Sequence, residues 1–168
     1  MKRWFTADWH LGHQNIIKYT KRPFTDAQQM NKTIIHNYIT SVAEEDICYF
    51  LGDMTLVGQA NSNYLETLIK HLPGRKILIL GNHDRLNPFT YMDIGFESVH
   101  TVLDIGDYIL VHDPAIATRA DNNKWLCGHV HTIFKIAKSG NLLNVGVDQW
   151  NFKPINDNDI KQIFNQEK

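Results

Sequence analysis

Apolar residues occur in two patterns along the first half of the chain. Three short runs rich in apolar residues, 3–7, 47–51 and 76–80, predict strands, and the last two are typical of buried strands, with the wholly apolar run 47–51 expected to be buried on both faces. Between these runs, apolar residues recur at helical spacing, which predicts amphipathic helices from Thr25 to about Glu44 and from Asn61 to Leu72. The resulting order of strand, helix, strand, helix, strand favours a parallel sheet with right-handed crossovers.

The second half of the chain alternates short apolar runs with turn residues. Two hairpins are predicted, one joining residues 99–105 to 108–112 and the other joining 133–138 to 142–147, with a short strand at 125–127 between them. Apolar residues at helical spacing predict a closing helix over 157–164. The pattern therefore changes from crossovers to hairpins about halfway along the chain.

The composition is that of an ordinary globular protein. Hydrophobic residues make up 43% and charged residues 21%, and no linker divides the sequence, so residues 1–168 are expected to form one domain. The formal net charge of -1 gives no overall basicity that would indicate nucleic acid, although a local basic groove is compatible with it. No signal peptide is expected, and no apolar run is long enough to span a membrane. Cys48 and Cys127 lie in apolar segments, which predicts buried free thiols and a cytoplasmic location.

Five short clusters of His and Asp follow apolar runs where strands are predicted to end. They are Asp8-Trp9-His10, Gly52-Asp53, Gly81-Asn82-His83-Asp84, His112-Asp113 and Gly128-His129-Val130-His131. Residues i and i+2 of an extended segment face the same way, so Asp8 and His10 can reach one metal ion, as can His129 and His131. A fold that gathers these clusters at one sheet edge assembles ligands for a pair of divalent ions rather than for one.

Each cluster is weak evidence when it is taken alone. An isolated Asp-x-His or His-x-His is more often a surface accident, and His112 by itself equally suits a strand-end histidine with a satisfied hydrogen bond. The five clusters together, each after a predicted strand, make chance an inadequate explanation.

In their order, the clusters resemble the motifs of the calcineurin-like metallophosphoesterases, namely Asp-x-His, Gly-Asp, Gly-Asn-His-Asp/Glu, His and Gly-His-x-His. The resemblance covers essentially the whole chain, and residues 12–17 and 144–154 are similar to the small, stand-alone bacterial and phage members. It implies an α/β (α+β) fold, a four-layer αββα sandwich of two mixed β-sheets flanked by helices, with a dinuclear metal site at the strand ends.

The resemblance also implies a role for each motif residue. Seven of them would hold two divalent ions: Asp8, His10 and His131 on one, Asn82, His112 and His129 on the other, and Asp53 between the two. His83 would be catalytic and assist the leaving oxygen, with Asp84 orienting its imidazole. Mn²⁺ is the expected metal, and Fe, Ni, Co and Zn also suit such ligands.

Residues close to the motifs have two interpretations. His13 and Asn15 follow the first motif and either contact the substrate phosphate or hold that loop together. Lys18, Arg22 and Arg119 are candidates for phosphate or nucleic-acid contacts, but a solvated charge is the default for each.

The leading hypothesis is a dinuclear phosphoesterase that hydrolyses phosphodiester bonds, and also phosphomonoester bonds, of small or nucleotide-like substrates with a hydroxide that bridges the metals. Leu80 stands where protein phosphatases of the superfamily have Arg, and His112-Asp113-Pro114 lacks their His-Gly-Gly form, so a protein phosphatase is disfavoured. One alternative is a nuclease, because residues 8–12 resemble the opening of the SbcD exonucleases. Another is a non-catalytic scaffold, which the complete ligand set disfavours. Nothing in the sequence specifies an oligomeric state.

Overall fold

A computed structural model describes residues 1–55, 62–117, 123–137 and 140–166. Within these ranges the chain forms nine strands and five α-helices. The strands are β1 (Arg3–Thr6), β2 (Ile47–Phe50), β3 (Arg75–Ile79), β4 (Ser98–His100), β5 (Val102–Asp104), β6 (Ile109–Val111), β7 (Trp125–Cys127), β8 (Leu142–Asn144) and β9 (Ile155–Asn156). The helices are α1 (Gln14–Tyr19), α2 (Ala27–Ile39), α3 (Ser62–His71), α4 (Pro88–Asp93) and α5 (Asp157–Gln166).

The strands form two mixed sheets. The first has the order β4-β3-β2-β1-β9, with β1 to β4 parallel and β9 antiparallel to β1. The second has the order β5-β6-β7-β8, with β5 antiparallel to β6 and the others parallel. The prediction of an α/β fold with two mixed sheets and flanking helices is therefore confirmed.

The first sheet is buried on both faces, as its apolar strands predict. Cys48 and Phe50 of β2 pack with helices α1 to α4, whereas Tyr49 packs in the cluster between the two sheets. Successive side chains of a strand point to opposite faces, so a strand with apolar residues at every position joins both clusters. Helix α5 contributes Ile160 and Phe164 to the cluster between the sheets.

The outer face of the second sheet carries a smaller apolar cluster. Among the described residues, Ala117, Phe134 and Ala137 pack against buried side chains of β6, β7 and β8 there. None of the helices in the described ranges is both long and apolar enough to cross a membrane.

Two expectations from the apolar pattern differ from the structure. The run 99–105 is divided between β4 in the first sheet and β5 in the second, because the chain passes from one sheet to the other there. In the described residues, the segment 133–138 pairs with 142–147 only through an antiparallel bridge between Ile136 and Leu143, and β8 also pairs in parallel with β7. Residue 138 of the second predicted hairpin and residue 61 of the predicted helix from Asn61 to Leu72 lie outside the described residues.

The strand directions bring the five motif clusters to one edge. Strands β1, β2 and β3 are parallel and each leads directly into a motif loop, and β6 and β7 do the same in the second sheet. The carboxyl ends of parallel strands open at the same side of a sheet, which is where open α/β sheets bind ligands. The site therefore lies across the ends of both sheets.

Candidate metal centre

Backbone hydrogen bonds align the loops that carry the acidic residues. The Asp8 N–H donates to the Gly52 carbonyl and the His10 N–H donates to the Asp53 carbonyl, each at 3.0 Å. From the second sheet, the His129 N–H donates to both carboxylate oxygens of Asp8, at 2.9 and 3.1 Å. The carboxylate of Asp8 therefore joins the two sheets at the edge where the motifs meet.

The first group of ligand atoms belongs to Asp8, His10 and His131. One donor atom from each lies within 4.8 Å of the others. His10 is only 2% exposed, and neither of its ring nitrogens has a hydrogen-bond partner among the described residues. Buried polar nitrogens are almost always paired, so these nitrogens require an explanation, and a bound cation would supply a partner for one of them.

The second group is centred on the Asn82 amide oxygen. This oxygen lies 3.0 Å from His112 Nε2 and 2.9 Å from His129 Nδ1. His112 Nδ1 donates to the Leu51 carbonyl at 2.7 Å, because a carbonyl oxygen can only accept. Nε2 is then the His112 atom that faces the centre. His112 is buried, whereas Asn82 and His129 are exposed.

Asp53 lies between the two groups. Its Oδ2 is 3.5 Å from His10 Nε2 and 3.5 Å from His112 Nε2, and its side chain is 2% exposed. The other oxygen, Oδ1, accepts from the His83 backbone N–H at 2.8 Å. One oxygen of this carboxylate therefore fixes the loop while the other faces both groups.

The charges of the centre are shaped by burial. Burial raises the pKa of Asp8 to about 6 and lowers the pKa of His10 to about 3. Burial also acts to raise the pKa of Asp53, but the hydrogen bond and charge of His112 outweigh it and the pKa falls to about 2. Burial acts to lower the pKa of His112, but its hydrogen bond to Asp53 raises the value to about 9, so a metal ion there displaces a proton.

Five of the seven predicted ligand residues have left-handed backbone conformations. Their φ angles are 59° for Asp8, 50° for His10, 55° for Asp53, 71° for His129 and 46° for His131. Such conformations cost free energy in residues other than glycine and cluster at functional sites. The nitrogen and oxygen donors gathered here are of the kind that divalent metal ions accept, and the Asp and His groups could hold such an ion.

The two predicted catalytic residues occupy different environments. His83 Nε2 lies 3.9 Å from Asp53 Oδ2, its ring is 5.4 Å from that of His10, and its side chain is 38% exposed. Asp84 Oδ2 accepts from the backbone N–H groups of Asp53 and Gly81 at 2.9 and 2.8 Å. Among the hydrogen bonds of the described residues, none joins Asp84 to the His83 imidazole. Asp84 thus holds the loop of Asp53, whereas His83 faces the open side of the centre.

The residues after the first motif extend outward from the centre. The His13 ring lies 5.8 Å from that of His10 and 6.2 Å from that of Tyr19, as measured between ring centroids. Asn15 is exposed, and Tyr19 is 72% exposed. Lys18 is exposed, as expected, and Arg119 lies outside the described residues.

The expectation that Arg22 is a solvated charge is wrong. Arg22 is 5% exposed, and its Nε and Nη2 donate to the two carboxylate oxygens of Asp148, both at 2.8 Å. Asp148 Oδ2 also accepts from His131 Nδ1 at 2.9 Å. Burial acts to raise the pKa of Asp148, but these hydrogen bonds outweigh it and lower the pKa to about 2.

Sequence reasoning missed this pair because its members are 126 positions apart. The available signal was the tail of residues 144–154, in which Asp148 is the single carboxylate.

Comparison with known proteins identifies a matching family and similar sequences. A family model described as calcineurin-like phosphoesterase matches residues 1–166. An uncharacterized protein of Methanocaldococcus jannaschii is 32% identical over 162 residues, which cover 92% of this chain and 86% of that protein. The gene 66 protein of Mycobacterium phage L5 is 26% identical over 180 residues, which cover 88% of this chain and 86% of that protein.

Two solved structures share the fold. A protein of unknown function from Aquifex aeolicus superposes with a TM-score of 0.75 at 25% identity, covering 96% of this chain and 98% of its own. The nuclease MPE of Pseudomonas putida superposes with a TM-score of 0.54 at 22% identity, covering 84% of this chain and 66% of its own. The second likeness is one of fold alone.

Proposed function

Because the chain belongs to the calcineurin-like phosphoesterase family, whose members are metal-dependent phosphoester hydrolases, we propose that it is a phosphodiesterase with a pair of divalent ions. The observation that carries the proposal is the position of Asp53. Its Oδ2 lies at the same distance, 3.5 Å, from His10 Nε2 and His112 Nε2, which belong to different ligand groups. A carboxylate between two groups of nitrogen and oxygen donors is the arrangement that suits a pair of ions.

In this proposal the seven predicted ligands divide into two sets that share one carboxylate. They are Asp8, His10 and His131 for one ion, Asn82, His112 and His129 for the other, and Asp53 for both. When bound, two divalent ions, with Mn²⁺ the expected metal, supply Lewis acidity and lower the pKa of water toward neutrality. Asp8 and Asp53 offset only two of four positive charges, so the centre attracts a phosphodiester anion.

His83 is proposed to act on the leaving oxygen. The imidazole stands beside Asp53 and His10, and at 38% exposure its side chain remains open to a bound substrate. A histidine so placed can donate a proton to the departing oxygen, a contribution of roughly 10²–10⁴-fold in rate.

His13, Asn15 and the neighbouring Tyr19 are proposed to contact the substrate. Tyr19 is exposed, its ring stands edge-on to that of His13, and exposed Lys18 and Lys21 flank it in the sequence. An exposed aromatic ring between cations suits a nucleobase with its phosphates. The substrate is accordingly proposed to be a nucleotide-like phosphodiester, and cleavage of single-stranded nucleic acid is the second candidate function.

The test is hydrolysis by metal-stripped protein that is resupplied with Mn²⁺. We expect bis-p-nitrophenyl phosphate to be cleaved faster than p-nitrophenyl phosphate, and His83→Ala to lose roughly 10²–10⁴-fold in kcat. His36→Ala, at an exposed position of α2, is the matched control and should retain the wild-type rate. Preference for the monoester would contradict the assignment as a phosphodiesterase, and an unaffected His83→Ala would contradict the role of His83.

A further inference from the structure

We propose that Arg22 and Asp148 are a positioning pair that presents His131 Nε2 to one ion and so sets the affinity of that ion alone. This inference rests on the two-ion centre proposed above. The pair is buried, with side chains that are 0% and 2% exposed, and it lies behind the ligands rather than among them.

The pair selects which nitrogen of His131 faces the centre. The carboxylate of Asp148 is held by both Nε and Nη2 of Arg22, the two-point geometry of a charged pair, and a carboxylate in such a pair can only accept hydrogen bonds. His131 Nδ1, at 2.9 Å from Asp148 Oδ2, must therefore carry the proton and donate it. The lone pair is left on Nε2. An imidazole that donates to a carboxylate in this way is a more basic and better oriented metal ligand.

Arg22 also holds the loop that supplies the other two ligands. Its Nη2 donates to the Asp8 carbonyl at 2.7 Å and its Nη1 donates to the Trp9 carbonyl at 3.0 Å. One guanidinium thus connects the loop of Asp8 and His10 with the carboxylate that orients His131. All three ligands of the first group are fixed relative to one another by this side chain.

The tail of the chain completes the support of His131. Its carbonyl accepts from Asn144 Nδ2 at 2.8 Å and from Gln149 Nε2 at 2.7 Å. Among the described residues, no hydrogen bond joins Arg22, Asp148 or either amide to the ligands of the second group: Asn82, His112 and His129. The direct side-chain contacts of the pair therefore reach the His131 side of the centre, where the larger change in affinity is expected.

The test is calorimetric titration of metal-stripped protein with Mn²⁺, which measures each ion without any turnover. Asp148→Asn should weaken one of the two ions by about 10–100-fold, the usual effect of losing such a partner, and leave the other ion unchanged. The matched control is Asp157→Asn, which breaks a different Arg–Asp contact, with Arg3 at 2.8 Å, at the opposite end of β1. The control should bind both ions as the wild type does.

Asp148→Asn leaves the Arg22 guanidinium buried without its partner, so the fold is checked by circular dichroism. The double variant Arg22→Met/Asp148→Asn removes both charges together and should show the same loss at one ion. If either folded variant binds both ions with wild-type affinity, the positioning role is wrong. If the wild type itself binds fewer than two ions, the proposed two-ion centre is wrong. The wild-type titration therefore distinguishes an error in the two-ion centre from an error in the positioning role.

Discussion

Asp53 shows how much one side chain can decide in this centre. One of its oxygens accepts from the His83 backbone, and the other lies between His10 and His112. Asparagine has the same shape as Asp53, and its amide oxygen can still accept from the His83 backbone N–H. Its NH₂ group would then face His10 and His112, and an NH₂ group cannot bind a cation.

Asp53→Asn should accordingly keep the fold and lose catalysis. We expect kcat with Mn²⁺ to fall by more than about 100-fold, because a ligand shared by two ions supplies several kcal/mol of charge stabilisation. The measurement is the rate of bis-p-nitrophenyl phosphate hydrolysis, with the fold followed by circular dichroism. Asp93→Asn, at an exposed position on α4, is the control. A near wild-type rate for Asp53→Asn would disprove the assignment of the site.

Tyr19→Ala tests the contact with a nucleobase. Stacking of a base on an aromatic side chain contributes about 1–3 kcal/mol, so we expect KM to rise roughly tenfold or more for the p-nitrophenyl ester of thymidine 5′-phosphate. Methyl p-nitrophenyl phosphate, which has no base, should show no comparable change. Tyr64→Ala is the matched control, since Tyr64 is 47% exposed on α3. An equal effect on both substrates would argue against stacking.

At the residue scale, sequence reasoning succeeded where chemistry is local. Asp8 and His10 lie two positions apart in one motif, and the order of the motifs predicted the residues that the structure brings together. Arg22 was assigned wrongly because nothing near it in the sequence shows that its partner is Asp148. A charged side chain is expected to be solvated, and only the contact with Asp148 in the folded structure shows that Arg22 is not.

At the scale of elements, the site depends on how closely the strand ends approach one another. Gly128, directly after β7, touches the neighbouring loop. A Cβ atom placed there would lie 2.7 Å from Ala7 Cβ, 2.9 Å from Asp8 Oδ2 and 3.0 Å from the Leu51 carbonyl oxygen. The glycine therefore permits the second sheet to approach the carboxylate of Asp8.

Gly128→Ala should displace Asp8 and weaken metal binding. We expect overpacking to destabilise the protein by about 1–3 kcal/mol and to reduce the affinity for Mn²⁺. Thermal unfolding with and without the metal measures both effects. Gly106→Ala is a control for the loss of a glycine, because its Cβ would meet no atom within 4 Å although its φ of +85° adds backbone strain. Wild-type metal affinity in Gly128→Ala would show that the close approach is dispensable.

Asp46 joins the beginnings of β1 and β2, and its carboxylate is expected to make the stability of the fold depend on pH. Its buried carboxylate accepts from the Lys2 N–H, Trp4 Nε1 and the Ala43 N–H. Burial acts to raise the pKa of Asp46, but these hydrogen bonds lower it below the value of about 3.9 in an unfolded chain. The stability that Asp46 contributes is thus complete above about pH 4 and is lost as the pH falls through the lowered pKa.

We expect Asp46→Ala to lower the free energy of unfolding by about 2 kcal/mol at pH 7. The difference from the wild type should shrink as the pH falls below about 4, because the wild-type carboxylate becomes protonated. Urea denaturation across this range measures the difference. Glu45→Gln, an exposed carboxylate in the same turn, should show little change at any pH. A difference that stays constant with pH would contradict the role of the charge.

The limits of prediction at this scale have a physical cause. An apolar run predicts a strand, but it does not say which sheet the strand joins. The run 99–105 therefore predicts one strand, although it serves both sheets as β4 and β5. Helices α1 and α4, with six residues each, are too short for a helical repeat to be visible in the sequence.

At the scale of the whole molecule, the two ligand groups are unequal. Asp8 and His10 of the first group are almost fully buried, and Asp8 adds a negative charge. The second group has the neutral amide of Asn82 in its place, and Asn82 and His129 are exposed. A buried and charged group that is already in position binds a cation more tightly than an exposed and neutral one.

Metal-stripped protein should therefore bind Mn²⁺ in two steps of different affinity, separated by about tenfold or more. We expect His10→Ala to remove the tighter step and His112→Ala to remove the weaker one, because each deletes a ligand from one group. Calorimetric titration resolves the steps, and His100→Ala, a histidine in β4, is the control. Two equal affinities would show that the difference in burial and charge has no thermodynamic effect.

The residues that build the centre are far apart in the sequence, so they are synthesised at different times during translation. Asp8 is synthesised about 140 residues before Asp148, which at roughly 5–20 residues per second is a delay of about 7–28 seconds. Strand β1 must also wait for β9, which pairs with its free side. A nascent chain on the ribosome thus lacks the complete centre until Asp148 and β9 have been synthesised, so the site cannot assemble from the first half of the chain alone.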